Sequence, residues 1–254
     1  MRYAVVFSIL ATSLGLAATA AAGGGMRAVA VVEAGTSVTM VALAVAFAAK
    51  GLGMPVEEIV RHPRWSIGAR FLLLPYQALA MLTLSLGRRT GGEASMDRVG
   101  PGLFIGRLPS RSERSRLAGA GIDAVLDLCA EFPHRGGPGL VSAYVPILDG
   151  SPPSTRQLLA AMAWIDAMRA EGKTVLIHCA QGHGRSATVA AVALCRLGLA
   201  PEVDRAIDLI RSARPGARPS RAQRRAAARF LASADGARQG KWAGSPARPP
   251  GDPT

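Results

Sequence analysis

Cysteine is scarce in this sequence, with only three among 254 residues. An odd number of cysteines without metal-type spacing argues against both a disulfide framework and a zinc site. Aromatic residues are also few, at 5% of the chain, although hydrophobic residues make up 49%. Alanine supplies much of that apolar content, and the mean hydropathy of +0.23 is high for a purely soluble protein.

Acidic residues are the second scarcity, with 17 Asp and Glu against 30 Lys and Arg, so the formal net charge is +13. This balance suits nucleic acid, anionic lipid or acidic substrates as partners. The Walker pattern of a nucleotide-binding loop is absent. Residues 234–254 are rich in Gly, Pro, Ser, Ala and Arg and are predicted to form a disordered basic tail. The tail has no aromatic residue apart from Trp242, which argues against a nucleic-acid partner.

One stretch carries a recognisable chemical pattern, the residues VLIHCAQGHGRSA from Val175 to Ala187. An apolar run precedes its cysteine, and an Ala/Val/Leu-rich helical run follows its arginine. A strand, a tight loop and a helix in this order turn backbone N–H groups toward one point, which suits a phosphate dianion. The same dipoles and Arg185 favour the thiolate form of a cysteine placed there. The pattern therefore predicts phosphoryl transfer onto Cys179 and then to water.

The string His178-Cys179, five residues, Arg185-Ser186 resembles the signature of the cysteine-dependent protein tyrosine phosphatase superfamily. Its form HCxxGxGRS resembles the dual-specificity branch of that superfamily. The resemblance covers roughly residues 97–232. It implies a layered α/β sandwich and hydrolysis of phosphotyrosine, phosphoserine or phosphothreonine on proteins. No metal or other cofactor is expected, because the arginine and the loop amides stabilise the phosphate charge.

The motif predicts a role for each of its side chains. Cys179 attacks phosphorus, and the planar fork of Arg185 and the loop amides hold the phosphoryl oxygens. Ser186 is placed to donate a hydrogen bond to the sulfur as leaving group, with a helix N-cap as its alternative role. His178 is expected to orient the loop and to favour the thiolate. The predicted phosphate-binding residues are Ala180, Gln181, Gly182, His183, Gly184 and Arg185.

The departing oxygen also needs a proton donor, because an alkoxide or phenoxide leaves poorly. Asp149 is the candidate, since it follows a short strand and precedes a Gly-Ser-Pro-Pro loop. Members of the family that the chain resembles carry their acid on such a loop. An Asp that caps the turn into the next helix is the alternative. Asp127 and Asp166 are weaker candidates for the acid.

Two other functions remain open on this pattern. The first is a phospholipid-headgroup phosphatase of the phosphatidylglycerophosphate or phosphoinositide type, which the apolar N-terminal runs favour. The loop contains no lysine, which argues against phosphoinositides. The second is a pseudophosphatase that binds phosphorylated partners without turnover, which the presence of Cys179, Arg185 and Asp149 disfavours. Two further questions also stay open, the oligomeric state and a protective disulfide between Cys129 and Cys179.

Two long apolar runs open the chain, at about residues 3–22 and 28–49. The first fits a secretory signal peptide, because a charged start, an apolar middle and an Ala-x-Ala site are present. It also fits a transmembrane helix, since about 20 apolar residues cross a bilayer. Export would place Cys179 in an oxidising compartment, so a helical hairpin is favoured. Met26 is an alternative start, which would leave only the second run.

A third, shorter apolar segment at residues 66–87 is predicted either to span the membrane or to lie in its interface. An interfacial position keeps the basic pairs Arg61/Arg64 and Arg88/Arg89 on one side, which the positive-inside rule favours. The expected location is therefore a membrane, the inner membrane in a bacterial cell, crossed more than once. The catalytic domain is expected on the cytoplasmic side.

Downstream of residue 95, short apolar runs alternate with segments that carry apolar residues at helical spacing. Strands are predicted at 103–106, 122–128, 144–148 and 173–178, and helices at 110–120, 155–171, 187–197, 202–213 and 219–232. This alternation indicates an α/β sandwich with a mostly parallel sheet, preceded by transmembrane helices. The predicted domains are a membrane region at 1–95, a catalytic domain at 96–233 and the tail at 234–254.

Overall fold

The computed structural model describes residues 2–23, 92–132, 137 and 139–233, together with short helical pieces at 29, 33–41, 44–45, 81 and 84–85. The chain divides into two compact units, Met1–Arg89 and Thr90–Thr254. The predicted tail at 234–254 lies outside the described residues, as do most of the segment 66–87 and part of the segment 28–49.

Helix α1, Arg2–Gly23, belongs to the first unit and covers the first predicted apolar run. It contacts the helical piece at 33–41, where Ser37 Oγ donates to the carbonyl of Ala11 at 2.7 Å. Among the residues that the structure describes, no helix combines the length and hydropathy needed to cross a membrane. The predicted transmembrane character of residues 3–22 therefore finds no support in the structure.

The second unit contains a five-stranded sheet with the strand order β1-β2-β5-β3-β4. The strands are β1 Met96–Gly100, β2 Leu103–Arg107, β3 Ala124–Cys129, β4 Val141–Ile147 and β5 Val175–Cys179. β1 and β2 are antiparallel, and the three other pairings are parallel. The predicted α/β fold with a mostly parallel sheet is thus confirmed. β1 was not predicted, because this edge strand is only half-buried and has no apolar run.

In the described part of the second unit, five helices accompany the sheet: α2 Arg111–Arg114, α3 Thr155–Ala170, α4 Arg185–Arg196, α5 Val203–Ala213 and α6 Arg221–Ala232. The predicted helix at 110–120 is wrong in length, since α2 is followed only by a 3-10 turn at Ala118–Ala120. Leu117 is the only buried side chain of that segment. Without an apolar stripe to pack on the sheet, a longer helix gains too little to form.

Helix α4 and strand β5 occupy the centre of the domain. All five residues of β5 are buried, and so are the first ten residues of α4. The small Ala and Val side chains of α4 let it pack closely against the sheet and against α5 and α6. The loop between β5 and α4 is therefore held from both ends at the carboxyl edge of the parallel strands, where such sheets bind ligands.

Candidate active site

Residues 180–185, the loop after β5 and the first residue of α4, surround the sulfur of Cys179 and are called here the cysteine loop. The backbone N–H of Gly182 donates to Cys179 Sγ at 3.2 Å, and Ser186 Oγ lies 3.4 Å from the same sulfur. The Cys179 side chain is only 3% exposed. Hydrogen bonds to sulfur stabilise a thiolate. The six predicted phosphate-binding residues all lie in this loop.

Close packing against β2 dictates the shape of the cysteine loop. Gly182 has φ +79°, and a Cβ there would lie 2.6 Å from the carbonyl group of Gly106. Next to it, the N–H of Leu108 donates to the carbonyl of Ala180 at 3.0 Å. Gly182 therefore has both a left-handed backbone and no room for a side chain.

Helix α4 begins at Arg185, with Gly184 as its N-cap. Ser186 is thus the second residue of the helix, and its alternative role as N-cap is ruled out. Its hydroxyl instead faces the sulfur of Cys179. A Cβ at Gly184 would lie 3.3 Å from the side-chain amide of Gln223, which belongs to α6. The start of α6 therefore packs on the cysteine loop.

A buried carboxylate holds the side chain of Arg185. Glu131 accepts from both Nη atoms of Arg185 at 2.6 and 2.7 Å, and the carbonyl of Ile147 accepts at 3.0 Å. Burial alone would lower the pKa of Arg185, but the pairing with Glu131 raises it well above its ordinary value. Arg185 Nε is buried without a hydrogen-bond partner in the described part of the chain. This N–H is therefore the donor left for a ligand.

Glu131 was not predicted from the sequence. It follows the end of β3, two positions after Cys129. The carboxyl ends of parallel strands meet at one edge of the sheet, so a carboxylate just after β3 can reach the loop that follows β5. The position of Glu131 directly after β3 is the signal in the sequence that could have identified it.

Asp149 lies beside Arg185, with its Oδ1 3.0 Å from Nη2 of the arginine. Its side chain is 58% exposed, so a ligand can reach it. Gln223 of α6 anchors the loop that carries it, by donating from Nε2 to the carbonyl of Ser151 at 3.1 Å. Ser154 caps the following helix α3, so Asp149 is not its cap.

The two weaker candidates for the acid have other roles. Asp127 is buried, and its Oδ1 accepts the backbone N–H of Cys129 at 2.9 Å. Asp166 forms an ion pair with Arg196 at 2.7 Å. Neither of these contacts involves Cys179 or the cysteine loop. The structure therefore brings only Asp149, of the three carboxylates considered, into contact with Arg185.

His178 is buried at the end of β5, and its Nε2 lies 3.8 Å from Asp127 Oδ1. With Cys129 these residues form a group whose potential ligand atoms all lie within 4.8 Å of one another. Burial, Glu131 and Asp127 raise the pKa of Cys129 well above its ordinary value.

The three cysteines are free thiols. The possible disulfide between Cys129 and Cys179 is thus not formed in the structure. Burial and the nearby Glu202 raise the pKa of Cys195 to about 11. Cys129 and Cys195 are therefore both held as neutral thiols at neutral pH, which suits small packing residues.

Arg214 supports the cysteine loop from behind and was not predicted to do so. It is 1% exposed. Its guanidinium donates to the carbonyls of Gln181 and Gly182 at 2.9 and 3.1 Å, and to Asp97 at 2.7 Å. These bonds hold the carbonyls of the loop on the side of Arg214, so that its N–H groups can face the opposite side, where Gly182 already donates to the sulfur of Cys179.

Glu93 joins the segment before β1 to the cysteine loop. Its carboxylate is 2.6 Å from Nε2 of His183 and accepts the N–H of Gly216 at 2.8 Å. Arg214 lies 3.3 Å away. Burial would raise the pKa of Glu93, but His183, Arg214 and the N–H of Gly216 together lower it below its ordinary value. Glu93 was not predicted either.

Comparisons with known proteins agree with this geometry. Residues 99–199 match the family model described as "Polymorphic toxin system, DSP-PTPase phosphatase". Over 124 residues the chain is 32% identical to mouse dual specificity phosphatase 28, a match that covers 48% of this chain and 76% of the relative. The chain belongs to the dual-specificity phosphatase family. Dual-specificity phosphatases are cysteine-dependent phosphoric monoester hydrolases.

Two further matches show how much of each chain the similarity covers. Mouse dual specificity protein phosphatase 12 is 36% identical over 126 residues, which cover 47% of this chain and 36% of the relative. This match thus spans about a third of that relative's length. The crystal structure of human DUSP28 is similar with a TM-score of 0.50 at 26% identity, covering 56% of this chain and 97% of that chain.

Proposed function

We propose that this chain hydrolyses phosphomonoesters on proteins through a phosphocysteine intermediate at Cys179. The observation that carries the proposal is the position of the buried sulfur. It accepts the N–H of Gly182 inside a loop whose arginine, Arg185, is immobilised with its Nε unoccupied. A phosphoryl group in this loop would meet backbone N–H groups, a guanidinium and a nucleophile together.

In the first step the thiolate of Cys179 attacks phosphorus and the bond from phosphorus to the ester oxygen breaks. Asp149, as the carboxylic acid, donates its proton to the departing oxygen. In the second step a water attacks phosphorus, the sulfur–phosphorus bond breaks, and the Asp149 carboxylate accepts the proton of that water. The hydroxyl of Ser186, 3.4 Å from the sulfur, stabilises the thiolate as it leaves.

Asp149 and the phosphate share one partner in this scheme. The carboxylate contacts Nη2 of Arg185 at 3.0 Å in the ligand-free chain. An incoming phosphate is a stronger bidentate partner for a guanidinium than one carboxylate oxygen. We infer that substrate displaces Asp149 from Arg185, and that the exposed carboxyl group then faces the leaving oxygen.

The direct test is phosphate release from para-nitrophenyl phosphate by the intact chain and by two cysteine variants. Cys179→Ser is expected to abolish turnover while it still binds orthovanadate or phosphate. Cys129→Ser, which changes a buried cysteine outside the loop, is expected to retain most of the activity. Binding of phosphopeptide without any turnover by the wild-type chain would make the protein a pseudophosphatase and overturn the proposal.

A phospholipid headgroup, such as phosphatidylglycerophosphate, is the second candidate substrate. The apolar runs before residue 90 favour it, because they could keep the site near a membrane. Phosphoinositides are disfavoured, since the cysteine loop has no lysine and its His183 is paired with Glu93. A panel of phosphopeptides, phosphatidylglycerophosphate and phosphoinositides separates these classes by their kcat/KM values.

We also propose that residues 1–95 associate with a membrane and leave the catalytic domain on the cytoplasmic side. The support for this proposal is the hydropathy and charge pattern of the sequence alone. Fractionation of cells that express the full chain, or a chain starting at Thr90, tests it. The full chain is expected in the membrane pellet after alkaline carbonate extraction, and the shorter chain in the supernatant. Recovery of both chains in the supernatant would overturn the proposed membrane association.

A further inference from the structure

Helix α6 carries four arginines and no acidic residue. Arg221, Arg225 and Arg229 are exposed and follow one another at every fourth position, so they lie on one face of the helix. Arg224 points elsewhere and pairs with Asp204 at 3.5 Å. We call the three exposed residues the arginine stripe.

The arginine stripe has no internal counter-charge. No hydrogen bond or ion pair connects the side chains of Arg221, Arg225 and Arg229 with other residues in the described ranges. The opposite face of α6 is buried and anchors the helix in the core, through residues that include Ala227 and Phe230. Three like charges on a fixed helix face repel one another, so an anionic ligand that met all three would relieve this repulsion.

The stripe begins in the first turn of α6, the turn that packs against the candidate active site. Gln223, in the first turn of α6, donates to the carbonyl of Ser151 in the loop that carries Asp149. Its side chain also lies against Gly184 of the cysteine loop. Just before α6, the N–H of Arg218 donates to the carbonyl of His183 at 3.0 Å. Gln223 belongs to the buried face of α6, opposite the stripe. A peptide that left the cysteine loop along the exposed face of α6 would therefore meet the arginines in chain order.

We propose that the arginine stripe binds acidic or phosphorylated side chains that flank the target residue in a protein substrate. This inference rests on the proposed protein phosphatase activity. Four helical residues advance by about 6 Å, and alternate residues of an extended peptide advance by about 6.6 Å on one face. Acidic side chains at every second position of an extended substrate can thus meet successive arginines. A guanidinium fork suits both carboxylate and phosphate groups.

An anionic membrane is the competing partner for such a surface. Lipid headgroups respond to the total charge of a surface and need no register between individual residues. The regular spacing of the stripe and its start beside the cysteine loop favour a chain-like ligand with one direction. We therefore assign the surface to a peptide, and anionic vesicles enter the test as the alternative.

The test compares two phosphothreonine peptides with the full chain at low ionic strength. One peptide carries glutamate at alternate positions on both sides of the phosphothreonine, and the other carries glutamine there. The wild type is expected to hydrolyse the acidic peptide with the higher kcat/KM. In the variant Arg221→Gln/Arg225→Gln/Arg229→Gln this preference is expected to fall about tenfold. Its activity on para-nitrophenyl phosphate should stay unchanged, because that substrate is too small to reach the stripe.

A matched control removes the same number of charges elsewhere. The variant Arg116→Gln/Lys173→Gln/Arg205→Gln changes exposed or half-exposed cations outside α6 and is expected to keep the preference for the acidic peptide. Equal loss of the preference for the acidic peptide in the two triple variants would overturn the proposed role of the stripe, because net charge alone would then explain the preference. The proposal would also be overturned if the stripe variant no longer bound phosphatidylglycerol vesicles but hydrolysed both peptides as the wild type does. The stripe would then bind a membrane.

The proposed activity and the stripe can fail separately. If the wild-type chain hydrolyses neither peptide nor para-nitrophenyl phosphate, the proposed activity fails. Fluorescence anisotropy with a labelled acidic phosphopeptide and the Cys179→Ser chain then still tests the stripe. The stripe variant in that background should bind the acidic peptide about tenfold more weakly and the glutamine peptide equally well. Equal affinity of both chains for the acidic peptide would overturn the inference.

Discussion

The guanidinium of Arg185 and the carboxylate of Glu131 form a two-point ion pair inside the domain, with N–O distances of 2.6 and 2.7 Å. Their side chains are only 1% and 5% exposed. A planar guanidinium held at two points by a planar carboxylate cannot rotate freely. The direction of the unoccupied Nε is therefore set before any phosphate binds, so less ordering is required during catalysis.

Replacement of Glu131 by glutamine should separate this positioning from the chemistry. The amide keeps the shape of the side chain but loses the charge and one acceptor, so Arg185 becomes mobile. We expect kcat/KM for para-nitrophenyl phosphate to fall about 100-fold and the free energy of unfolding to fall by about 3 kcal/mol. Kinetics and urea unfolding measure the two effects.

The control for this variant is Asp166→Asn, which removes an ion pair of similar length, 2.7 Å, with Arg196. That pair is partly exposed, and both of its residues lie outside the cysteine loop. We expect near wild-type activity and a stability change below about 1 kcal/mol. An Asp166 variant as inactive as the Glu131 variant would show that the loss reflects general destabilisation.

The proton donor can be tested through the leaving group. If Asp149 protonates the departing oxygen, Asp149→Asn should slow hydrolysis of a phosphothreonine peptide by about 100-fold or more. Para-nitrophenolate leaves without a proton, so the loss on para-nitrophenyl phosphate should be below about tenfold. Asp208→Asn is the matched control, because Asp208 is also 58% exposed and also lies beside an arginine. Equal losses on the two substrates would remove Asp149 from the role of acid.

Two glycines of the cysteine loop should tolerate alanine very differently. A Cβ at Gly182 would lie 2.6 Å from the backbone of Gly106, and the φ of +79° adds strain. A Cβ at Gly184 would meet only the side chain of Gln223 at 3.3 Å. Gly182→Ala should lose at least about 100-fold in kcat/KM and about 1–3 kcal/mol of stability. Gly184→Ala should stay within about tenfold of the wild type. Comparable losses would mean that backbone packing on β2 does not shape the loop.

Local pattern was sufficient for the strand–loop–helix of the cysteine loop and for helices α3 to α6. Apolar periodicity and capping residues act over a few positions, so a sequence displays them directly. Glu131, Arg214 and Glu93 escaped prediction for the opposite reason. Arg214 contacts Asp97 across 117 positions, and Arg185 contacts Glu131 across 54. A single charged residue carries no local sign of a partner that the fold brings from so far away.

Contacts with distant parts of the chain also account for the two errors in the predicted secondary structure. Strand β1 exists because β2 offers it an edge, although its own residues, Met96–Gly100, show no apolar run. The predicted helix at 110–120 has a good capping box at Ser110 and Glu113, but no apolar face to hold its second half. The capping box correctly predicts where the helix begins, but it does not predict where the helix ends, since helix length depends on packing.

The ion pair of Glu93 predicts how stability depends on pH. The pKa of Glu93 in the folded chain is lowered from 4.5, so its charged form is favoured by folding. This contribution is present in full above the unfolded pKa and is lost as the pH falls through the lower folded pKa. The difference in unfolding free energy between the wild type and Glu93→Gln should therefore shrink as the pH falls below about 4.5. Urea unfolding at several pH values measures it.

A double-mutant cycle with His183 identifies the cause of this dependence. The hydrogen bond and the charge of His183 lower the pKa of Glu93 more than Arg214 or Gly216 does, against the opposing effect of burial. In a His183→Asn background, Glu93→Gln should therefore produce a smaller change of stability with pH. An equally large change in both backgrounds would assign the effect to Arg214 and the N–H of Gly216 instead. The Glu93–His183 pair would then join the segment before β1 to the cysteine loop without contributing to the change of stability with pH.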